Sequence, residues 1–434
     1  VHCVKFTQGD GRWFKFAEMN VLYLSYDGLT DSLGRSQVLP YIIGLSKLGH
    51  RFTVVSFEKG GNFERDEKNI RQITDQAQIR WIPLSYTSSP PVLSTIYDVL
   101  RLRRLVFSLL SEKPFDIVHC RSYITSLVGL ELKKKLGIKF VFDMRAFYAD
   151  ERVDGGLWNL KNPLFRAVYR YFKKKELQFL SHSDFTVSLT EKGKEIIHSW
   201  KTVEHQPIEI KVIPCCADLG HFHPSKVNGQ LRSELAAKFN ISTSDMVVAY
   251  LGSIGTWYLL DEMLDFFKVV VSKYPKAKFL FISTDDPRVI VQKAAEKGIS
   301  RERIIVQPAK REEVPTFLSL ASFALFFIQP VFSKSGSSPT KHGEMLGMGL
   351  PVITNSGVGD VDRIIEDTQS GILVETFSQA SYEKAADRIT ELLNIPVSQL
   401  QDAAHRYYSL ELGVKRYAQI YQSLTAFNDG ISRS

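Results

Sequence analysis

The sequence predicts an α/β protein built from two doubly wound parallel sheets, one after the other along the chain. Three observations carry that expectation. Length is the first: 434 residues exceed what one ordinary hydrophobic core organises, so two domains are expected. Composition is the second: 44% hydrophobic and 12% aromatic residues supply globular cores, and no segment has a disordered or low-complexity character. The third is rhythm. Short β-rich runs alternate with longer amphipathic stretches, the pattern of βαβ units, and the alternation stops once and begins again.

In the first half, runs of β-branched, aromatic and aliphatic residues place strands at 20–26, 52–57, 79–84, 117–120, 140–142 and 185–188. Helical periodicity lies between most of them, notably at 37–48, 96–110 and 122–135. A further strand at 210–213 ends at Pro214, and the polar, aperiodic passage 215–229 reads as a linker. Strands then recur at 247–251, 279–283, 304–307, 323–328, 352–354 and 372–374. The long helical region 382–424 is able to return to the first domain. These signals divide the chain into an appendage (1–18), a first Rossmann-like domain (19–214), a second (215–408) and a terminal helix crossing back (409–434). Two such domains are expected to face each other across a cleft, since open α/β sheets bind ligands at the carboxyl ends of their strands.

Several classes are excluded by composition. The longest apolar runs, such as 323–328, are strand-length, against the roughly 20 residues that span a bilayer. Neither a transmembrane segment nor a signal peptide is expected. Four cysteines, with Cys215 and Cys216 adjacent, form no C-x-x-C pair, which fits a reducing cytoplasm and argues against a structural metal. The formal charge is +8, and it is lopsided: residues 1–214 hold 32 Lys+Arg against 23 Asp+Glu, the remainder 23 against 24. Segment 161–175 carries Lys161, Arg166, Arg170, Lys173, Lys174 and Lys175 with no acidic residue, interleaved with Leu164, Phe165, Val168, Tyr169, Tyr171 and Phe172. Such a helix is either a solvated basic face or a surface for an anionic membrane. No nucleic-acid motif accompanies it, so nucleic acid is not an expected partner.

Two segments invite chemistry. The first strand opens at Asp27 into GLTDSLGRSQ, where Ser36 is suited to cap a helix and Pro40 fits its first turn. Glycines at such a turn let backbone N–H groups approach an anion. It is not G-x-G-x-x-G, so a dinucleotide site is not indicated. The second segment is SGSSPTKHGEMLGMGLPVI, starting at Ser335. Ser338 is suited to cap a helix with Pro339 at its first position, and Gly349 to end it. Lys341 and Glu344, three apart, share a face near the helix start. Taken alone they serve either as a surface ion pair or as a diphosphate-binding lysine with a ribose-binding carboxylate.

The segment SSPTKHGEMLGMGLPVITN, with VIPCCADLGHF and LGHRFTVVSFEK, resembles the GT-B glycosyltransferases of the large retaining family 4. DGLTDSLGRSQVLPY, DMRAFYADERVDGGLW and YLGSIGTWYLLDEML are similar to bacterial members that assemble envelope polysaccharides. The resemblance implies a nucleotide-sugar donor on the second domain and an acceptor on the first. By that resemblance Gly34 approaches the donor from the first domain, while Gly252, Ser253 and Gly255 form the turn facing its diphosphate. Ser338 and Thr340 flank Lys341, which neutralises the leaving nucleotide, and Glu344 holds the ribose. His119, Asp143 and Arg145 are expected at the cleft, where Asp143 or His119 assists the acceptor hydroxyl and Arg145 binds an acidic group. The structural alternatives are a satisfied strand histidine and an Asp143–Arg145 pair. Asp150, Glu151 and Arg152 form either an acceptor-side loop or solvated charge.

The chain departs from the family pattern in three places. Gly336 stands where relatives carry the first of two glutamates that have seven residues between them, Glu344 matching the second. Ser253 and Tyr258 occupy the turn where many have an arginine and a lysine. The strand ending Asp143-Met144-Arg145 lacks the histidine that many place after it. Asp285-Asp286 and Asp360-Val361-Asp362 resemble acidic metal motifs, yet GT-B enzymes manage the leaving diphosphate with helix termini and basic residues, so neither metal nor cofactor is expected. The function expected is retaining, metal-independent transfer from a UDP- or GDP-sugar to a lipid-linked or polysaccharide acceptor, in the cytoplasm or at the inner membrane face. Two alternatives stay open: a catalytically silent nucleotide- or glycan-binding subunit, to which Gly336 points, and a nucleotide-sugar epimerase.

Overall fold

The computed structural model describes residues 3–4, 14–15, 18–202 and 208–429. The appendage expected at 1–18 lies outside the described residues, apart from Glu18 and a short antiparallel pair, β1 (Cys3–Val4) and β2 (Phe14–Lys15). The chain forms two units: Val1–Pro214 joined by Leu410–Ser434, and Cys215–Ser409.

In the first unit, β3 (Asn20–Ser25), β4 (Arg51–Glu58), β5 (Arg80–Ser85), β6 (Ile117–Arg121), β7 (Lys139–Arg145), β8 (Phe185–Ser188) and β9 (Ile210–Val212) form one sheet. Its order is β5-β4-β3-β6-β7-β8-β9, and every pairing is parallel. The second unit repeats the scheme with β10 (Val247–Leu251), β11 (Lys278–Ile282), β12 (Ile304–Gln307), β13 (Phe323–Phe326), β14 (Val352–Asn355) and β15 (Gly371–Val374), in the order β12-β11-β10-β13-β14-β15. In both, the chain starts in the middle, builds to one edge, then crosses and builds to the other. This is the doubly wound arrangement. The central strands are buried on both faces, which is why they read as near-continuous apolar runs.

Period two divides the first sheet. Leu22, Leu24, Val118, Cys120, Phe140 and Phe142 face a core shared with Leu102, Val128 and Phe179, which come from helices Leu93–Glu112, Ser122–Leu136 and Pro163–His182. The alternate residues Tyr23, His119 and Asp143 face the other way, towards helix Leu410–Asp429, whose Tyr417 and Tyr421 bond to Asp143 and His119.

Two local expectations are corrected. Passage 215–229 is no free linker: Cys215, Cys216, Ala217 and Phe222 are buried, and the Ala217 N–H donates to the Tyr408 carbonyl at 2.8 Å. Its lack of period reflects backbone bonding in place of a helix or strand face. The helical region expected at 382–424 is present, divided into Gln379–Asp387, Ile389–Leu393, Val397–Tyr408 and the start of Leu410–Asp429. Ser36 does not cap a helix. The helix runs Ser32–Gln37 after Asp31, a second one, Leu39–Lys47, carries Pro40 in its first turn, and the Ser36 hydroxyl donates back to the Ser32 carbonyl.

The cause of that early start is Glu58, at the end of β4. Its buried carboxylate accepts the N–H groups of Leu29 (2.8 Å) and Thr30 (3.0 Å) and the hydroxyls of Thr30 and Ser56. The loop after β3 is thereby drawn against β4. Gly34 is needed for the same reason, because a Cβ there would stand 1.9 Å from the Gly28 carbonyl oxygen. Glu58→Ala leaves four donors without their acceptor, and unsatisfied buried groups cost about 1–3 kcal/mol each before relaxation and water entry. The expected outcome is a loss of about 3 kcal/mol, read by urea unfolding. A change under about 0.5 kcal/mol would show that the loop holds without the carboxylate.

Candidate functional site

The site is built within the second unit from two strand-to-helix turns. β10 runs into residues 252–258, ahead of helix Leu260–Lys273. Gly252 has φ +104, a conformation that side chains rarely adopt, and its N–H donates to the Ile282 carbonyl at 2.9 Å. Asp285 holds the rest of the turn, accepting from the Ile254 N–H and from the hydroxyls of Ser253 and Ser283, both at 3.0 Å. The Tyr250 hydroxyl donates to the Ser253 carbonyl at 2.6 Å. Gly255 also lies at positive φ.

The second turn leads from the 3-10 segment Phe332–Gly336 into helix Thr340–Gly347. Thr340 and Lys341 are its first two residues, so their N–H groups lie beyond the helical ladder. Lys341 extends towards the Gly252 turn, and a Cβ at Gly252 would sit 3.5 Å from its Nζ. The ammonium lies 3.5 Å from the Tyr258 ring centroid and 4.1 Å from that of Tyr250. Lys341 is 7% exposed, and among the described residues its Nζ has no hydrogen-bond partner. Aromatic faces offset part of the desolvation of a cation, by about 2 kcal/mol when dry, but supply no counter-charge. Burial pushes the Lys341 pKa well below its ordinary value, against the pull of Glu344 and Asp285. Burial likewise pushes the Glu344 carboxyl up to about 7, opposed by Arg311 and Lys341. The intervening His342 faces the core, bonded to the Tyr408 hydroxyl at 2.9 Å.

Ser338 departs from expectation. Its hydroxyl accepts the Cys215 N–H at 3.2 Å, Pro339 holds the N-cap position, and no side chain caps the helix. The first helical N–H groups are thus left to other acceptors. Gly336, in the 3-10 segment ahead of the helix, is buried. Lys334, also buried, sits 3.6 Å from the Trp257 ring centroid. A buried lysine, glycine-bearing turns and the start of a helix are the elements that suit an anion.

The first-unit residues sort differently. Arg145 is the last residue of β7, at φ +66 beside a register shift, a strained position of the kind that clusters at functional sites. His119 and Asp143 were expected open at the strand ends. Instead they lie inside their strands, each 1% exposed. Tyr421 bonds His119 Nδ1 at 2.7 Å and Tyr417 donates to Asp143 at 3.1 Å. Burial pushes the Asp143 carboxyl up, but Arg145, His119 and Arg121 outweigh it and hold it down at about 2. Burial lowers the His119 pKa, against Asp143. The result is an ionised carboxylate beside a neutral imidazole, both sealed by the last helix. Gly34 is also explained by its own loop. Asp150, Glu151 and Arg152 lie on helix Tyr148–Asp154, not in a loop, with Asp150 accepting from Tyr169 (2.8 Å) and Lys173 (2.9 Å).

Sequence reasoning missed Arg121, which ends β6 and pairs with Asp27 at 3.0 Å. It also missed Asp285 as the turn's anchor and Tyr250 as part of the lysine platform. A charged residue closing a buried strand was the available signal for Arg121. The four-residue spacing of Tyr417 and Tyr421 was the signal for a helix face aimed at one sheet.

Comparison with known proteins places this geometry. Residues 39–221 match the family model described as Glycosyltransferase Family 4, and residues 232–408 that described as Glycosyl transferases group 1. Together these two halves define a GT-B glycosyltransferase. The chain belongs to that class, as a protein of the family 4 type. It is 25% identical over 286 residues to a D-inositol 3-phosphate glycosyltransferase of Segniliparus rotundus, covering 65% of this chain and 59% of the relative. The chain thus spans about three fifths of the length of the curated relatives it matches. Among solved structures, it is similar to a sucrose-phosphate synthase from Thermosynechococcus elongatus, with TM-score 0.70, 14% identity and coverage of 94% of this chain and 100% of that one. It is also similar to Anabaena HepE, solved with UDP and glucose, with TM-score 0.65, 12% identity and coverage of 93% and 99%. At these identities the structures speak for the fold.

The raised pKa of Glu344 has a measurable sign. The folded state holds its proton more tightly than the unfolded chain, so this contribution to stability is full below pH about 4.5. It is lost as pH rises through about 7. Glu344→Gln removes the loss, and the variant should gain about 2 kcal/mol on wild type between pH 5 and pH 8. Urea unfolding at the two pH values reads it. An unchanged difference would show that Glu344 ionises freely.

Proposed function

We propose that the second unit binds a nucleotide-diphosphate sugar and that the protein transfers its glycosyl group to an acceptor. The observation that carries this reading is the buried Lys341 ammonium beside the Gly252 turn, which lacks a hydrogen-bond partner among the described residues. A diphosphate supplies the missing negative charge. In the transition state, charge builds on the departing nucleotide, and a preorganised cation with helix N–H groups stabilises it without reorganising. Glu344, one turn along, accepts ribose hydroxyls when ionised. Lys341 and Glu344 thus hold opposite ends of the nucleotide's diphosphate–ribose portion, and Ser253, Gly255, Ser338 and Thr340 line the same turns.

The nucleotide proposed is UDP or GDP, the acceptor lipid-linked or a polysaccharide, and the outcome retention without a metal. These details rest on family resemblance. Retention is tested by the anomer of the first-formed product in an NMR time course, where inversion would end that part of the proposal. No proton transfer is assigned to His119 or Asp143, because both are enclosed. Arg145, at its strand end, is proposed to meet an acidic group of the acceptor. A second reading, a silent nucleotide-binding subunit, is favoured by Gly336.

Calorimetry with UDP, GDP, ADP and CMP against wild type and Lys341→Ala tests the donor site. One nucleoside diphosphate should bind selectively, and the alanine variant should weaken it about 100-fold, the order expected when a buried charge pair loses a partner. Binding to none of them would remove the donor assignment. Selective binding without turnover across a panel of acceptors would support the silent subunit.

A further inference from the structure

We infer that one helical layer of the first unit docks on an anionic lipid bilayer, inserting an apolar stripe of helix Leu93–Glu112 between headgroups. This goes beyond the transferase reading and does not depend on it.

Helix Leu93–Glu112 has two apolar faces. One is buried: Leu102, Val106 and Leu109 join the core, and Asp98 on the same side bonds Tyr26 and Thr87. The opposite face should be polar on a surface helix. Instead it carries Leu93, Ile96, Tyr97 and Leu100, which are 64%, 50%, 55% and 55% exposed. Their spacing of three, four and seven residues sets them in one line. Pro90 and Pro91, also exposed, extend it at the helix start. An exposed apolar patch of this extent marks an interaction surface.

The stripe's surroundings select the occupant. Arg104, one helical repeat beyond Leu100, is exposed and continues the line, flanked by Arg101 and Arg103, which pair with Asp98 and Glu131. The two acidic residues of this helix do not face the stripe: Asp98 is buried, and Glu112 pairs with Arg80. Helix Ser122–Leu136 packs against this helix and also against Pro163–His182, making one layer. On it Lys134 is exposed, and Pro163–His182 exposes Leu164, Arg166, Arg170, Tyr171 and Lys174. Lys173 is not part of that surface, because it turns inward to Asp150 and Glu176. Exposed leucines and tyrosines beside an excess of basic groups match the apolar boundary and negative headgroups of an anionic leaflet. A second copy fits poorly, since a two-fold contact would set these cations against one another.

The test is co-sedimentation of the full chain with vesicles of phosphatidylcholine alone or with phosphatidylglycerol added. Wild type should bind the anionic vesicles and not the neutral ones. Ile96→Asp/Leu100→Asp should lower the bound fraction at least tenfold, and Arg104→Glu/Lys174→Glu should do so most at low salt. All four positions are exposed, so thermal unfolding and nucleotide binding should stay at wild-type values, separating loss of docking from loss of fold or donor site. No binding by wild type, or binding unchanged in Ile96→Asp/Leu100→Asp, overturns the inference. Concentration-dependent dimers abolished by that variant would assign the stripe to a second copy and overturn it too.

Discussion

A cation without a counter-ion is an expensive thing to keep in a folded protein. An isolated buried ammonium gives up its hydration, and aromatic faces return only part of that. Lys341 is kept nonetheless, and the neighbouring turns are arranged around it. Gly252 adopts the φ of +104 that the turn requires, Asp285 fixes the turn, and Tyr250 both supports the ammonium and bonds the Ser253 carbonyl. The lysine and Glu344 each sit displaced from their ordinary ionisation, in opposite directions and for the same reason, burial. Strain of this kind on both signs of charge is what a site looks like when its ligand supplies the missing half of the electrostatics.

The first unit solves a related problem internally. Asp143 is as buried as any core residue, and its charge is tolerable because Arg145, Arg121 and His119 surround it while Tyr417 donates a hydrogen bond. The same chemistry that suggests a catalytic dyad thus works here as a clasp for the last helix. What distinguishes the two cases is the nearest neighbour. Asp143 has His119 and Arg145 within ion-pair distance and a hydrogen bond from Tyr417, whereas the Lys341 Nζ lies against the Tyr250 and Tyr258 rings with no hydrogen-bond partner among the described residues.

Much of this was legible in the sequence because it is local. The strand positions follow from period-two and continuous apolar runs, and the observed strands overlie the expected ones within three residues at either end, as β4 at Arg51–Glu58 and β13 at Phe323–Phe326 show. Lys341 and Glu344 emerged from the character of one helix start. What escaped depends on partners far apart in the chain. Ser338 carried a capping signature but spends its hydroxyl on Cys215, and Ser36 lost its role to a carboxylate in the next strand. His119 and Asp143 read as open because strand ends in this fold usually are, and nothing near them in sequence announced the tyrosines that cover them. A passage such as 215–229, bonded through its backbone to residues near Tyr408, leaves no periodic trace.

The chain's path has a consequence for synthesis. The second unit is continuous, Cys215–Ser409, whereas the first is completed only by Leu410–Ser434. On the ribosome, the seven strands of the first sheet emerge long before the helix that covers one of their faces. Until then the His119–Asp143 pair stands without Tyr417 and Tyr421. Domains tend to fold in order as they leave the ribosome, but here the unit that begins first finishes last. A nascent chain released early would carry a complete second unit beside a first sheet with a charged, uncovered face, an open target for the cell's quality-control machinery.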